Sequence, residues 1–487
     1  MSKHDASQMN REARRSLARK GGALGSAGLL AGGATTALFA AFALPASATT
    51  LTVDTTADGV AVAGDCTNGT AGDCSLRDAL AAAASGDTIT FAPSVTGTIT
   101  LTQGQLRVVQ PVTLTGPGAS ALTIDGAQQS RVFYVTNFVY GDVSISGVTI
   151  TGGNETSPSN GTGAGALIKN FGNATFDHVV VDQNSTSDVA GGLYFGNQGN
   201  ATISNSVISA NSAVGSIGGV GFGNSGSATV DRSTIDGNTS SSAGGGVDVY
   251  GPSSFTMSNS TISGNTAARQ SGGLGLSSTL TSYIYNSTIA GNVAAAGGGI
   301  SVGPDVQLTV DMSTISGNTA TGANVNTGNQ VAAGGISAFK NSQIYLYGVI
   351  VSGNTAADPT ISDMGFGGPS SNTGLLDTHS CVLGNYAGQT LYGDENVYST
   401  TPGLGALADN GGPTKTMALL SGSVAIDAGP DPVPTFPGDQ FDQRGASFAR
   451  IVNGRSDIGA FEVQSDPAPT TSTTVPGADP VVPQFTG

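Results

Sequence analysis

Tryptophan is absent, charged side chains make up only 10% of the chain, and three cysteines and three histidines are spread over 487 residues. This composition matches a globular enzyme with a thick, aromatic-rich core poorly. After residue 44 no stretch is apolar for long enough to span a bilayer. What the chain has instead is glycine, 74 residues of it, set among serine, threonine and asparagine. That balance suits a thin, turn-rich solenoid.

The solenoid has a legible period. STISGNTA stands at residues 260–267 and again at 313–320, with STIAGNVA between them at 287–294. The asparagine of this octapeptide marks successive units at Asn184, Asn211, Asn238, Asn265, Asn292 and Asn318. Asn154 precedes the series, and Asn354 and Asn385 follow at irregular steps. Three places before each later marker stands a β-branched residue: Val181, Ile208, Ile235, Ile262, Ile289, Ile315, Val351 and Val382. Each unit carries two further apolar alternations, one after a glycine pair (GGLYF at 191) and one before the octapeptide (ATFDH at 174).

Period-two alternation bounded by Gly, Asn and Ser means strands with one buried face, and a repeat of about 27 residues means stacking. No unit has room for a helical stripe, and the leucine framework of a leucine-rich repeat is missing. The pattern predicts a right-handed, single-stranded parallel β-helix with three strands per rung. About a dozen rungs would give an interior roughly 55 Å long. The isoleucine column fills it. The asparagines are expected to form a structural ladder at a bend, bonding to the rungs above and below.

Residues 1–48 are a separate problem. Arg11, Arg14, Arg15, Arg19 and Lys20 precede an uncharged run from 21 to 44 that ends in Pro45-Ala46-Ser47-Ala48. This order reads as an export signal cleaved after Ala48, and Arg14-Arg15-Ser16-Leu17 is compatible with the twin-arginine route. A retained anchor is the alternative. Without this segment the chain keeps 11 basic and 31 acidic residues, net −20, which argues against nucleic acid or anionic membranes as partners. In an oxidising compartment Cys66 and Cys74, which bound CTNGTAGDC, are expected to form a disulfide. Cys381 is left over and aligns on the repeat with Thr261, beside an inward valine, so an inert thiol is expected.

At 74–91 the sequence reads CSLRDALAAAASGDTITF, in which Ser75 can cap a short helix with Asp78 at N3. A helix there would cover the open end of the solenoid. The stretch resembles the CSLREA domain of secreted β-helix proteins, with Asp78 in place of glutamate. Thr401 begins TPGLGALADNGGPTKTMALLSGSVAIDAG, and DQRG at 442 and SDIGAFE at 456 follow; together they resemble the choice-of-anchor Q domain. The chain is thus similar to bacterial secreted proteins of the pectin lyase-like superfamily. The resemblance implies secretion or display at the cell surface and leaves activity open. The expected division is a signal (1–48), a cap (49–86), the β-helix (87–390), the choice-of-anchor-like domain (391–463) and a Pro/Thr-rich flexible tail (464–487). The anchor implied by the family name is not evident in that tail.

A polysaccharide lyase needs a base and cations on one outward column. The column after the glycine pair reads Tyr194, Gly221, Asp248, Gly275, Ser301 and Ser337, which is not such a site. The next reads Asp177, Ser204, Asp231, Ser258, Tyr285, Asp311 and Tyr347. Asp177 and Asp231 lie two rungs apart, roughly 9.6 Å by strand spacing, near the separation an inverting glycosidase uses; solvated surface aspartates have the same spacing. Asp409, Asp427, Asp442, Arg444 and Asp457 are expected to brace loops. No catalytic residue, metal site or cofactor is assigned. Tyr283, Tyr285, Tyr345 and Tyr347 depart from a column of Thr, Ser and Asp. They are the candidate glycan platform, unless the insertion at 321–330 packs over them. Two function classes follow. The preferred one is a non-enzymatic surface protein with a structural, adhesive or glycan-binding role toward polysaccharide or cell-surface glycan. The other is a carbohydrate-active enzyme, a polysaccharide lyase or glycoside hydrolase.

Overall fold

A computed structural model describes residues 48–464 except 157–160, 252–253, 278–280, 323–330, 340, 368–373 and 388–389. Residues 1–47, where the export signal is expected, the tail beyond Gln464 and most of the 321–330 insertion lie outside the described residues.

The chain winds as a right-handed parallel β-helix. One rung contains Ala174–Asp177 in sheet 1, Val180–Asp182 in sheet 2, the two-residue strand Ser185–Thr186 in a short sheet, and Leu193–Phe195 in sheet 3. Stacked rungs build sheets of 13, 12, 8 and 11 strands in that order. Register follows the repeat: Phe176 pairs with Ile203 and Val181 with Ile208. The short sheet adds to the three strands expected, because two paired residues are too few to write an alternation. Pairing begins at Thr50–Val53 and continues to Val397–Tyr398, so the helix crosses the boundaries expected at 87 and 390.

The rungs of the first two octapeptides turn on three left-handed residues, one of them before the glycine pair (Ser271 and Gly297, φ 61 and 64°). Asn259 and Asn286 (φ 50 and 52°) sit between sheets 1 and 2, and Gly264 and Gly291 (φ 61 and 67°) before the marker asparagine. Positive φ is cheapest for Gly and Asn, which is why the repeat spells S-G-N. The inward columns merge into one continuous core in which Phe176, Phe195, Phe222 and Phe255 follow ring on ring at 5.6, 5.2 and 6.1 Å.

The asparagine column is a buried ladder. Asn265 Oδ1 accepts from the Asn238 backbone N–H and from Asn238 Nδ2, both at 2.9 Å. The same pattern runs from Asn184 to Asn354, where Asp363 Oδ1 takes over as acceptor. Asn154 is not part of it: Gly153 occupies the ladder position and donates its N–H to Asn184. A serine ladder runs beside it, each Oγ accepting from the backbone N–H one rung earlier at 3.0–3.1 Å. Here the reading of Cys381 is corrected. Leu383, not Val382, pairs with Val351, because the turn before Asn385 is one residue shorter than the repeat. Cys381 therefore continues the serine column rather than matching Thr261, and its Sγ accepts from Val349 N–H.

Helix α1 (Leu76–Ala82) has a capping box between Ser75 and Asp78 and buries Leu76, Ala79 and Leu80 in the core at the first rungs. Cys66 and Cys74 are joined by a disulfide, Cα to Cα 4.6 Å, that closes the loop leading into it.

The C-terminal segment folds back along the solenoid. Its antiparallel pair, Leu404–Ala408 with Thr416–Leu419, and the chain that follows cover the outward residues of sheet 2. Val382 and Ile350 join Leu419, Ala425 and Ile458 in a second core. Gln443 of the DQRG motif donates to Thr261 Oγ1 at 2.9 Å and accepts from Thr288 Oγ1 at 2.6 Å. Ala460 N–H donates to Thr314 Oγ1 at 3.1 Å. These three threonines belong to the three octapeptides, so the near-identity of those copies coincides with the strip that the C-terminal segment grips.

Candidate functional site

The outward face of sheet 1 carries two parallel columns. Strand pairing aligns Tyr283, Thr309, Tyr345 and Asp377 in one, and Tyr285, Asp311, Tyr347 and His379 in the other. The four candidate tyrosines therefore share one face, each half-buried, but they do not form a single open platform. Tyr283 stacks on Tyr285 (5.7 Å, 24°), and Tyr285 stacks in turn on Phe436 of the C-terminal segment (5.1 Å, 3°). One rung beyond Asp311, Tyr347 lies flat against His379 (5.2 Å, 1°). What covers part of this face is thus Phe436 and its neighbours. The 321–330 insertion, which sequence reasoning offered as the cover, lies largely outside the described residues.

Beside the Tyr347–His379 pair a cleft of about 560 Å³ is lined by Asp311, Tyr347, His379, Asp394, Glu395 and the loop 430–435. Its volume is in the range of small-ligand sites. His379 is held from both sides, Nδ1 at 2.5 Å from Asp394 and Nε2 at 3.2 Å from Asp377. Glu395 accepts from Ser380 Oγ at 3.0 Å. Asp311 is different. It is 6% exposed, and its Oδ1 is buried without a hydrogen-bond partner. Burial pushes its carboxyl up to about 7, since a desolvated charge with no donor is costly. Burial, with the charges of Asp311 and Tyr283, also pushes the Tyr285 phenol up to about 12, so that ring stays neutral. The cleft therefore offers flat ring faces at its edge and one uncompensated acid at its floor. Among the described residues, no group of three or more His, Cys, Asp or Glu stands where it could hold a metal ion.

The other sequence candidates have structural partners. Asp177 accepts from Ser204 Oγ and Asn205 Nδ2 on the next rung and contacts His178. Burial raises its carboxyl, but these bonds outweigh it and leave the net shift downward. Asp231 repeats the arrangement with Ser258, Asn259 and Arg232. Asp248 on sheet 3 is pushed up to about 6 by burial between Gly221 and Gly275, but it has no acidic or basic neighbour in its column. In the C-terminal segment Asp442 holds Arg444 between the rings of Phe448 and Phe461, at 3.9 and 3.8 Å. Asp457 accepts from Asp427 N–H and Val463 N–H, and Asp409 from Gly411 N–H. Burial pushes the Cys381 thiol up to about 12, the condition of an unreactive sulfur.

Sequence reasoning missed His379, Asp377, Asp394, Glu395 and Phe436. The first two were accessible: LLDTH at 375–379 aligns with QIYLY at 343–347, which puts His379 under Tyr347. The others depend on how the C-terminal chain folds back, and no local pattern encodes that.

The family described as a right-handed β-helix region matches residues 191–363. Among solved structures, that of pectate lyase Pel9A is similar at 16% identity and a TM-score of 0.45, covering 86% of this chain and 97% of that one. No curated protein matches the chain. Among the described residues no helix is long and apolar enough to cross a membrane.

Proposed function

We propose that this chain is an exported β-helix protein, free or displayed at the cell surface, that binds glycan in the cleft on the outward face of sheet 1. The observation that carries the reading is the pair of stacked ring groups, Tyr283–Tyr285–Phe436 and Tyr347–His379, on either side of Asp311. Sugar rings present apolar C–H faces that stack on aromatic rings, while their hydroxyls bond to carboxylates and phenols at the rim. The remainder of the solenoid, where Asp177 and Asp231 are tied to the next rung, has the character of a stiff spacer. Export is supported by the basic, apolar and A-x-A order of residues 1–48 and by the disulfide at the first rungs. Retention of the purified protein on immobilised plant and microbial polysaccharides tests the proposal. Failure to be retained by any of them rejects it.

A second reading, a carbohydrate-active enzyme working in the same cleft, is favoured by one observation. Asp311 is a buried, unpartnered acid held near 7, as a general acid or base requires. New reducing ends appearing in the same panel, and lost in Asp311→Asn, would establish it. Glycan bound without cleavage would leave binding alone.

A further inference from the structure

We infer that the cleft selects glycans carrying free amino groups, with the ammonium of an amino sugar seated against Asp311 and the sugar ring on Tyr347. This rests on the glycan-binding reading and adds the class of sugar.

The electrostatics of the cleft carry the inference. Asp311, Asp394, Glu395 and Asp431 line it, and among the described residues His379 is the one ionisable nitrogen that does. His379 is already engaged by Asp394 and Asp377, Glu395 by Ser380 Oγ, and Arg455 reaches Glu395 only at 3.9 Å. A uronate would bring another carboxylate into this field, and among the described residues that line the cleft there is no guanidinium or ammonium to meet it. A neutral hydroxyl would give Asp311 one bond but leave its charge buried. An ammonium supplies both a donor and the opposite charge, the combination that makes a buried carboxylate favourable. A metal ion would meet the charge requirement too, but the described carboxylates do not converge on one point. The site also goes beyond an acidic cluster. Asp311 is more than nine-tenths buried, with an oxygen lacking any partner, and it sits one rung from the exposed edge of the Tyr347–His379 stack.

The ammonium could equally come from a lysine side chain, and a chain this acidic attracts polycations without any site. The test separates these. Binding of the full-length protein is measured against glucosamine hexamer, its fully N-acetylated counterpart, oligogalacturonate and hexalysine, at low and at physiological salt. The expected result is that glucosamine hexamer binds about ten- to hundred-fold tighter than the acetylated hexamer, the size of one charge-assisted hydrogen bond. The preference should survive physiological salt and vanish in Asp311→Asn and Asp311→Ser, in each of which the two hexamers should bind alike. Folding is checked by the melting temperature, which removal of an unpaired buried charge should not lower. Equal binding of amine and acetylated hexamers overturns the inference and leaves the glycan reading standing. Absence of all glycan binding overturns both. Hexalysine binding as tightly as glucosamine hexamer, or a preference unchanged in Asp311→Asn, shows generic polycation attraction and overturns the inference alone.

Discussion

Replacing Asn265 by alanine probes the repeat where its chemistry is most explicit. Its side chain is fully buried and makes four bonds. Nδ2 donates to Ile235 O and Asn292 Oδ1, and Oδ1 accepts from the backbone and side chain of Asn238, all at 2.9 Å. Alanine leaves the Asn238 N–H buried without an acceptor, a loss of about 1–3 kcal/mol, and removes three further bonds whose net contribution is about 1 kcal/mol each. Partial relief by an entering water brings the expected destabilisation to about 3–5 kcal/mol. Asn200 provides the control. Its Oδ1 accepts from Ser227 N–H at 2.9 Å in the same rung-to-rung geometry, but at an exposed turn. Water can replace that bond, so Asn200→Ala should cost about 1 kcal/mol or less. Guanidinium unfolding followed by far-ultraviolet circular dichroism would measure both. If the two variants fall within about 1 kcal/mol of each other, the ladder is a passive lining and the argument from burial is wrong.

Three further outcomes are expected. Gly245→Ala should destabilise by about 3 kcal/mol or more, because its Cβ would meet Gly272 O at 2.4 Å and Thr266 backbone atoms at 2.8 Å. Gly237→Ala, with φ +63° and open space around it, should cost only about 1 kcal/mol, and thermal melts compare the two. Asp311 should make the fold weaken as pH rises, since its carboxyl is raised from 3.8 to about 7 in the fold. The stabilisation is complete below pH 4 and lost as pH passes 7, at about 1.4 kcal/mol per unit. The buried acids Asp248 and Glu462 act in the same direction, and Tyr285, Tyr347, His379, Asp394, Glu395, Asp431 and Cys381 surround Asp311. The diagnostic is therefore a shallower slope in Asp311→Asn between pH 5 and 7, and identical slopes would refute the assignment. Gln443→Ala should loosen the grip on Thr261 and Thr288. Limited proteolysis should then cut within 401–464 while the rungs stay protected; unchanged cleavage would show that Phe461 and the second core suffice.

Much of the fold was legible because a β-helix repeats one short-range decision. The alternation around Ile262, the left-handed glycine before Asn265 and the glycine pair after it recur until the register is unmistakable. Reading failed where the repeat changed length. The asparagine is a good marker only while the bend keeps its size, so Asn154 and the neighbours of Cys381 were each placed one residue out. The inward column, Ile150 with Val181 and Val351 with Leu383, is what the hydrophobic interior holds in register. The candidate site was half legible. Tyrosines in a column of threonine and serine stood out, and their outward direction follows from the pleat. That Tyr285 is covered by Phe436, and that Asp311 is buried, depends on chain about 150 residues downstream returning across the face. The octapeptides carried a trace of that contact in Thr261, Thr288 and Thr314.

The central claim is that glycan binds between the two ring stacks of sheet 1. Its most direct test is the dissociation constant of the best-retained glycan for the wild-type chain, Tyr347→Ala, and Tyr140→Ala, Tyr140 being 73% exposed and stacked on Phe171 nearer the first rungs. The account predicts at least about ten-fold weaker binding in Tyr347→Ala, the worth of one ring stacked on a sugar. It also predicts an unchanged constant in Tyr140→Ala. The reverse pattern, or equal constants in all three proteins, would contradict it.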